Sequence, residues 1–277
     1  NIPKEKIFNY IFDNKLIYIN DLDVYFNNNI SELKRSNLKS KNIFFGEILS
    51  TLNIRVDHDK TNREINVYLP KNSYVLFNNV NIDNYEINLY SQDYDSDNNY
   101  FIDVKGCLNI YDSIISKIKI NIFDSHCEDA LNIVNTNGDI DAVNILNSFS
   151  DGVDFDFSQI KIKNLSVINA GNDCVDFSYG NYFIENLTVE DCKDKGISIG
   201  EKSKFFSKEI NAKNTNITLA AKDASDVKID YLASYDSNFC LAAYVKKNEF
   251  YGSLIDIKKK ICDSQDFKDK YSMINYE

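Results

Sequence analysis

Proline is almost missing from this chain, at two residues in 277, and glycine is scarce at nine. Turns must then be made by other residues. Asparagine and aspartate suit that task, because they tolerate left-handed geometry and bond their own backbone. There is no run of apolar residues long enough to cross a bilayer, which excludes a spanning helix. There is no basic stripe either: 31 Lys and Arg stand against 42 Asp and Glu, for a net charge of −11. Phosphate backbones select cationic faces, so nucleic acid is excluded as a partner. Tryptophan is absent and histidine is limited to His58 and His126. The chain starts at Asn1 with no signal-peptide pattern, which leaves its localisation open.

What is present is a repeat. Written in rows of about 22 residues, one phrase stays in the same column: Asp129-Ala-Leu-Asn-Ile133, Asp151-Gly-Val-Asp-Phe155, Asp173-Cys-Val-Asp-Phe177 and Lys195-Gly-Ile-Ser-Ile199. It fades through Ile217–Ala221 and Phe239–Ala243. A short fixed period means that each row is one unit buried against the next. Within each phrase apolar and polar residues alternate, which is the period of a strand. Leu131 and Ile133, Val153 and Phe155, Val175 and Phe177, and Ile197 and Ile199 are expected to point inward, with Asn132, Asp154, Asp176 and Ser198 outward. A second alternating segment follows in each row, as in Ile162-Lys-Asn-Leu165. Short strands separated by Asn, Asp, Gly and Ser predict an all-β chain, a right-handed parallel β-helix. At 43% apolar the chain can fill the long narrow core such a coil needs.

In chain order, residues 1–60 read as an N-terminal capping region. Pro3 to Asp13 predicts a short helix that covers the first rung. Residues 61–257 read as the β-helix and 258–277 as a charged C-terminal cap or tail. The stretch Ser91 to Asn99 reads as a polar loop; Asp93, Asp95 and Asp97 alternate as in a calcium loop but lack its glycine and closing glutamate. The six cysteines form no CxxC or metal-finger spacing. Cys174 and Cys240 share a column three rows apart, too far to bridge at roughly 4.8 Å per rung. The cysteines are therefore read as reduced, small apolar residues, which favours a cytoplasmic location.

The chemistry candidates lie in the regular block. Stacking places Asp129, Asp151 and Asp173 above one another at a turn with Lys195 next. A second column holds Asn132, Asp154, Asp176 and Ser198, and Asp156 follows Asp154 by two. Carboxylates one rung apart repel, so they must share a proton, find a cation or face water. Two carboxyls in unequal environments are what acid–base cleavage of a glycosidic bond requires. Asp151, Asp154, Asp173, Asp176 and Lys195 are the catalytic candidates. Asp156, Glu201, Lys202, Lys222 and His126 are the candidates for substrate binding. Asn147, Asn169 and Asp191 share a further column and read as a structural ladder.

Three of these segments resemble a known family. Ser150-Asp151-Gly152-Val153-Asp154, Gly171-Asn172-Asp173-Cys174-Val175 and Asp194-Lys195-Gly196-Ile197-Ser198-Ile199-Gly200 look like the N-T-D-G, D-D-C and G-H-G-I-S-I-G motifs of polygalacturonases. These are inverting glycoside hydrolases on a right-handed β-helix. The resemblance implies Asp151 as base and Asp173 as acid. Asn172 replaces the other aspartate, Lys195 stands at the family's histidine, and its Arg-Ile-Lys has no counterpart in Asn216–Leu219. Residues 124–257 as a whole look like a broad group of uncharacterised bacterial β-helix repeat proteins, some attached to spore-coat-kinase-like domains. That implies fold more than activity.

Three functions follow as expectations. One is an enzyme acting on an extended polysaccharide, by hydrolysis ahead of lyase or epimerase chemistry, with no cofactor unless a lyase uses Ca²⁺ beside Lys195 as base. The second is a glycan-binding module of a larger polysaccharide-assembly chain, without turnover. The third is a structural spacer.

Overall fold

Residues one row apart pair in space. In the computed structural model of the chain, Asp129 lies opposite Asp151, Asn132 opposite Asp154, and Asp154 opposite Asp176, all in parallel register. The structure describes residues 54–71, 73–95 and 104–277, together with the backbones of the strands Leu16–Asn20, Asp23–Asn27 and Gly46–Ser50. It is an all-β solenoid of about nine turns with a 22-residue spacing.

Each regular rung holds a short first strand and a longer, bent second strand, such as Asp151–Asp156 and Gln159–Ala170. In the rungs that follow, the two run together as Asn181–Gly200, Lys204–Lys222 and Asp226–Tyr244. The alternation of the phrase sets inside and outside. Leu131, Ile133, Val153, Phe155, Val175, Phe177, Ile197 and Ile199 are all fully buried.

Aromatic rings thicken the middle of the core. Phe177 stacks on Phe155 at 5.1 Å and meets Tyr182 at 4.7 Å and Phe205 at 5.1 Å. Phe177→Ala would remove a ring that three rungs share and leave a cavity that a rigid stack cannot collapse. It should cost about 3–5 kcal/mol in urea unfolding. A loss below about 1 kcal/mol would mean that the rungs repack freely.

The corners explain how a chain so poor in glycine turns. Asp124, Asn147, Asn169, Asp191, Asn214 and Asp236 all have left-handed φ between 52° and 63°. They also bond one another along the coil: Asn147 donates to Asp124 at 2.7 Å, Asn169 to Asn147 at 2.8 Å, and Asn214 to Asp191 at 2.5 Å. The expected column through Asn147, Asn169 and Asp191 runs further in both directions than the sequence suggested, and its side-chain bonds fall in two runs, Asp124 to Asn169 and Asp191 to Asn214. Gly152 has a different reason. A Cβ there would lie 2.5 Å from the Cys174 carbonyl oxygen and 2.5 Å from Val167 Cγ1, so the glycine of the Asp-Gly-Val-Asp phrase is required by close rung packing.

Three readings change. The helix expected over residues 3–13 lies outside the described residues. Among the described residues there is no helix, and the strands Leu16–Asn20, Asp23–Asn27 and Gly46–Ser50 precede the parallel rungs in antiparallel pairing. At the other end the coil does not stop at residue 257. Leu254–Ile261, Gln265–Lys268 and Met273–Tyr276 continue it in parallel register, so 258–277 is the last part of the solenoid. Finally, the cysteines are not reduced. Cys107–Cys127, Cys174–Cys192 and Cys240–Cys262 are disulfides with Cα separations of 5.4, 5.4 and 6.2 Å. Cys174 and Cys240 are indeed too far apart to bridge. Each instead pairs across a corner: Cys192 sits one rung above Ala170, just across the turn from Cys174. The lean toward the cytoplasm rested in part on free thiols and loses that premise.

Candidate functional site

The acidic residues of the regular block divide into two sets that behave differently. The first set is bound into the backbone. Asp151 Oδ1 accepts the Asp173 N–H at 2.9 Å and the Asn172 side chain at 2.7 Å. Asp173 Oδ1 repeats the pattern one rung on, accepting the Lys195 N–H at 2.9 Å, while Lys195 Nζ lies 3.2 and 3.4 Å from its two oxygens. Lys195 also bonds Asp194, whose second oxygen accepts from Asn216 at 3.2 Å. Burial alone would lower the Lys195 ammonium, but the bond to Asp194 and the charges of Asp173 and Asp194 outweigh it and hold it above its ordinary value. Burial would raise Asp194, yet the Lys195 bond and charge keep it low. Asp151 and Asp173 thus cap a corner, with Lys195 paired to Asp173 and Asp194, while burial raises Asp151 against the bonds that it accepts from Asp173 and Asn172.

The second set faces outward from the first strands and is poorly compensated. Asn132, 2% exposed, donates from Nδ2 to Asp129 at 3.3 Å and to Asp154 at 3.3 Å. Its own Oδ1 is buried with no partner among the described residues, and so is Asp176 Oδ1. Burial, then the neighbouring charges of Asp156, Asp129 and Asp176, push Asp154 up to about 9. Burial and Asp151 raise Asp129 to about 7. Burial raises Asp176 to about 6, against the opposing charge of Lys222. Asp156 is raised too, by burial and then by Glu201.

A ring of other groups frames this row. Lys222, 5% exposed, donates to Ser198 Oγ at 2.5 Å and stands 3.9 Å from Asp176 Oδ2. Glu201 is buried; burial opposes its charge, but bonds from Lys247 and Ser178 hold it below its ordinary range. Asp223 Oδ1 accepts the N–H groups of Lys246 and Lys247 at 2.7 and 2.8 Å, which fixes the turn carrying Lys247. Lys202 is exposed, with Nζ 5.7 Å from the Phe250 ring. His126 is exposed at the corner before Asp129, and no described contact joins it to the row.

Asp154, Asp176, Asp156, Glu201 and Lys222 therefore come together, whereas Asp151, Asp173 and Lys195 form a closed neighbour and His126 stands apart. Lys105 and Lys247 were not legible as site residues. Lys105 precedes the regular rows, yet its charge acts on Asp129 and Asp154. Lys247 reaches Glu201 from 46 positions away. Asp129 showed as a stacked turn residue, but its bond from Asn132 did not.

The fold itself does not demand acids on such a face. On the second strands the equivalent outward column is Asn66, Asn88, Asn121 and Asn144, each donating to the one before at 2.7–3.0 Å. The amide ladder is satisfied; the acid row is not. Among the described residues no group of three or more His, Cys, Asp or Glu is arranged to hold a metal ion. Asp93 of the calcium-like stretch is exposed and 3.8 Å from Lys71, in a strand that runs to Asp95, and Asp97 lies outside the described residues. A groove of about 830 Å³, lined by Gln159, Lys161, Phe183, Phe206 and Lys228 among others, lies across the corner from the row and contains none of its carboxyls.

No protein-family model matches the chain, and neither the curated proteins nor the solved structures contain a match to it.

Proposed function

We propose that the protein cleaves glycosidic bonds in an extended polysaccharide laid across the acid row, with Asp154 as general acid and Asp176 as its ionised partner. The observation that carries this reading is two carboxyls on adjacent rungs of one face with unequal surroundings: Asp176 has Lys222 3.9 Å from its Oδ2 and is pushed up to about 6, whereas Asp154, buried among Asp156, Asp129 and Asp176, is pushed up to about 9. Pairs driven apart in this way are the mark of acid–base assignments. Equivalent atoms on adjacent rungs are about 5 Å apart, which suits retention rather than inversion. Asp176 attacks the anomeric carbon as Asp154 protonates the departing oxygen. Asp154 then takes a proton from water, and that water releases the sugar from Asp176.

Hydrolysis is favoured over lyase chemistry because Lys195, the lysine expected as base, is held protonated between two carboxylates. The resemblance to polygalacturonases supports a carbohydrate substrate, but on this reading the roles move from Asp151 and Asp173 to Asp154 and Asp176. The reading also carries a right-handed coil, the sense that parallel crossovers take. The disulfides fit an oxidising compartment.

Acidic and neutral polysaccharides incubated with the protein should yield new reducing ends whose first-formed anomer, by proton NMR, keeps the configuration of the substrate. The rate should rise with pH as Asp176 ionises near 6 and fall as Asp154 ionises near 9. First-formed products of inverted configuration would overturn the pairing. No product from folded protein that still binds a glycan would leave the non-catalytic module as the function.

A further inference from the structure

The corner that borders the acid row has an oddity. Its left-handed column begins as a chain this poor in glycine should build it, with Asn79, Asp112 and Asn135 at φ of 54°, 51° and 48°, and Asn135 donating to Asp112 at 2.6 Å. The next two positions hold Phe157 and Tyr179, both at φ 51°, followed by Lys202 at 60°. Bulky side chains in that region are strained, and strain of this kind persists where something else requires the residue. The core is not what requires these two. Phe157 is 55% exposed and Tyr179 42% exposed. They stack on each other at 4.8 Å and 6° between planes, and Phe250 meets Tyr179 edge-on at 6.3 Å with Lys202 above it. Each follows directly on a residue of the site: Phe157 comes after Asp156, and Tyr179 after Ser178, which bonds Glu201 at 2.5 Å. On the far side, two residues on, the chain enters the groove at Gln159 and Asn181.

We infer that Phe157 and Tyr179 form a stacking ledge for a sugar ring of the bound polysaccharide, placed between the acid row and the groove. This rests on the glycan reading above and adds a binding subsite to it. A pyranose offers an apolar C–H face to an aromatic ring and hydroxyls to the charged groups beside it, which matches rings exposed next to Lys202, Lys247 and Glu201. A second protein would want a broader apolar patch, and the ledge is flanked by charge on both sides.

The ledge makes a prediction that structural packing does not. Asn is the residue that the column itself uses, so Phe157→Asn with Tyr179→Asn should fold with an unchanged or raised Tm, since the relief of strain and a continued amide ladder offset the lost stack. Binding should fall about tenfold or more, read by affinity electrophoresis through gels containing polygalacturonate, alginate, dextran or a β-1,3-glucan. Phe157→Tyr with Tyr179→Phe should keep binding, and a Leu pair, apolar but without a ring face, should lose it. Wild-type protein retarded by a glycan and the Asn and Leu pairs retarded equally would overturn the ledge while leaving the glycan reading intact. Wild-type protein retarded by none of the four would overturn both.

Discussion

Asp154→Asn should leave the protein more stable and enzymatically dead. The first half follows from burial. In the folded chain Asp154, Asp129 and Asp176 titrate near 9, 7 and 6, against an ordinary 3.8. Between about 4 and 9 the folded state therefore holds protons that the unfolded chain has released, and stability falls as pH rises through that window. Asp194 and Glu201, held low, act in the opposite sense, and their contribution is lost only as pH drops below the ordinary carboxylate range.

An amide at 154 removes the most strongly raised member of the row. It also extends the pattern of Asn109 and Asn132 below it in the same column, as the Asn66–Asn144 ladder does on the other strands. A gain of about 1–3 kcal/mol at pH 8, shrinking toward pH 5, is expected from denaturant unfolding. Activity should fall about 10²–10⁴-fold, the usual worth of a positioned acid. Destabilisation at pH 8 would make Asp154 a structural residue and remove the trade-off between stability and function that the acid row implies.

The second large effect concerns the disulfides. Cys107, Cys174 and Cys240 occupy one column at intervals of three rungs, and each is tied to a partner 18 to 22 residues later. A closed loop of that length restricts the unfolded chain by about 3 kcal/mol. Cys174→Ala with Cys192→Ala should lower stability by about 2–4 kcal/mol. The other two pairs should add nearly independently, because they lie more than about 10 Å away along the coil. Reduction of all three should bring the denaturant midpoint down steeply, and native protein treated with iodoacetamide should gain no mass until a reductant is present. Six alkylated cysteines without reductant would restore the free-thiol reading. An unchanged midpoint after full reduction would show that rung stacking alone holds the coil.

Parts of the site could be read from residue types. Asp154, Asp176 and Ser198 share a column in the rows, and they share one in space. Repulsion between stacked acids was foreseeable, and it adds to burial in raising the pKa values of Asp129 and Asp154. The rows could not show that Asp151 and Asp173, equally well aligned, spend their oxygens on the N–H groups of Asp173 and Lys195. A column fixes which residues stack but not the direction in which a carboxyl turns at a bend. The aromatic corner was hidden for a related reason: in sequence Phe157 and Tyr179 are two more apolar residues beside strands, and only their φ and exposure set them apart.

The sequence by itself determined the rung. Its period, its inward residues and one column of Asn or Asp corners are written into the rows, because each rung must match the next and the match repeats at a constant interval. The tertiary structure decided what lies between columns. It paired the cysteines across a corner, brought Lys222 to Ser198 and Lys247 to Glu201, and separated an acid row short of partners from a carboxylate set used up in capping. Those outcomes depend on how far the chain bends between strands, and a repeat that conserves its length carries no record of that distance.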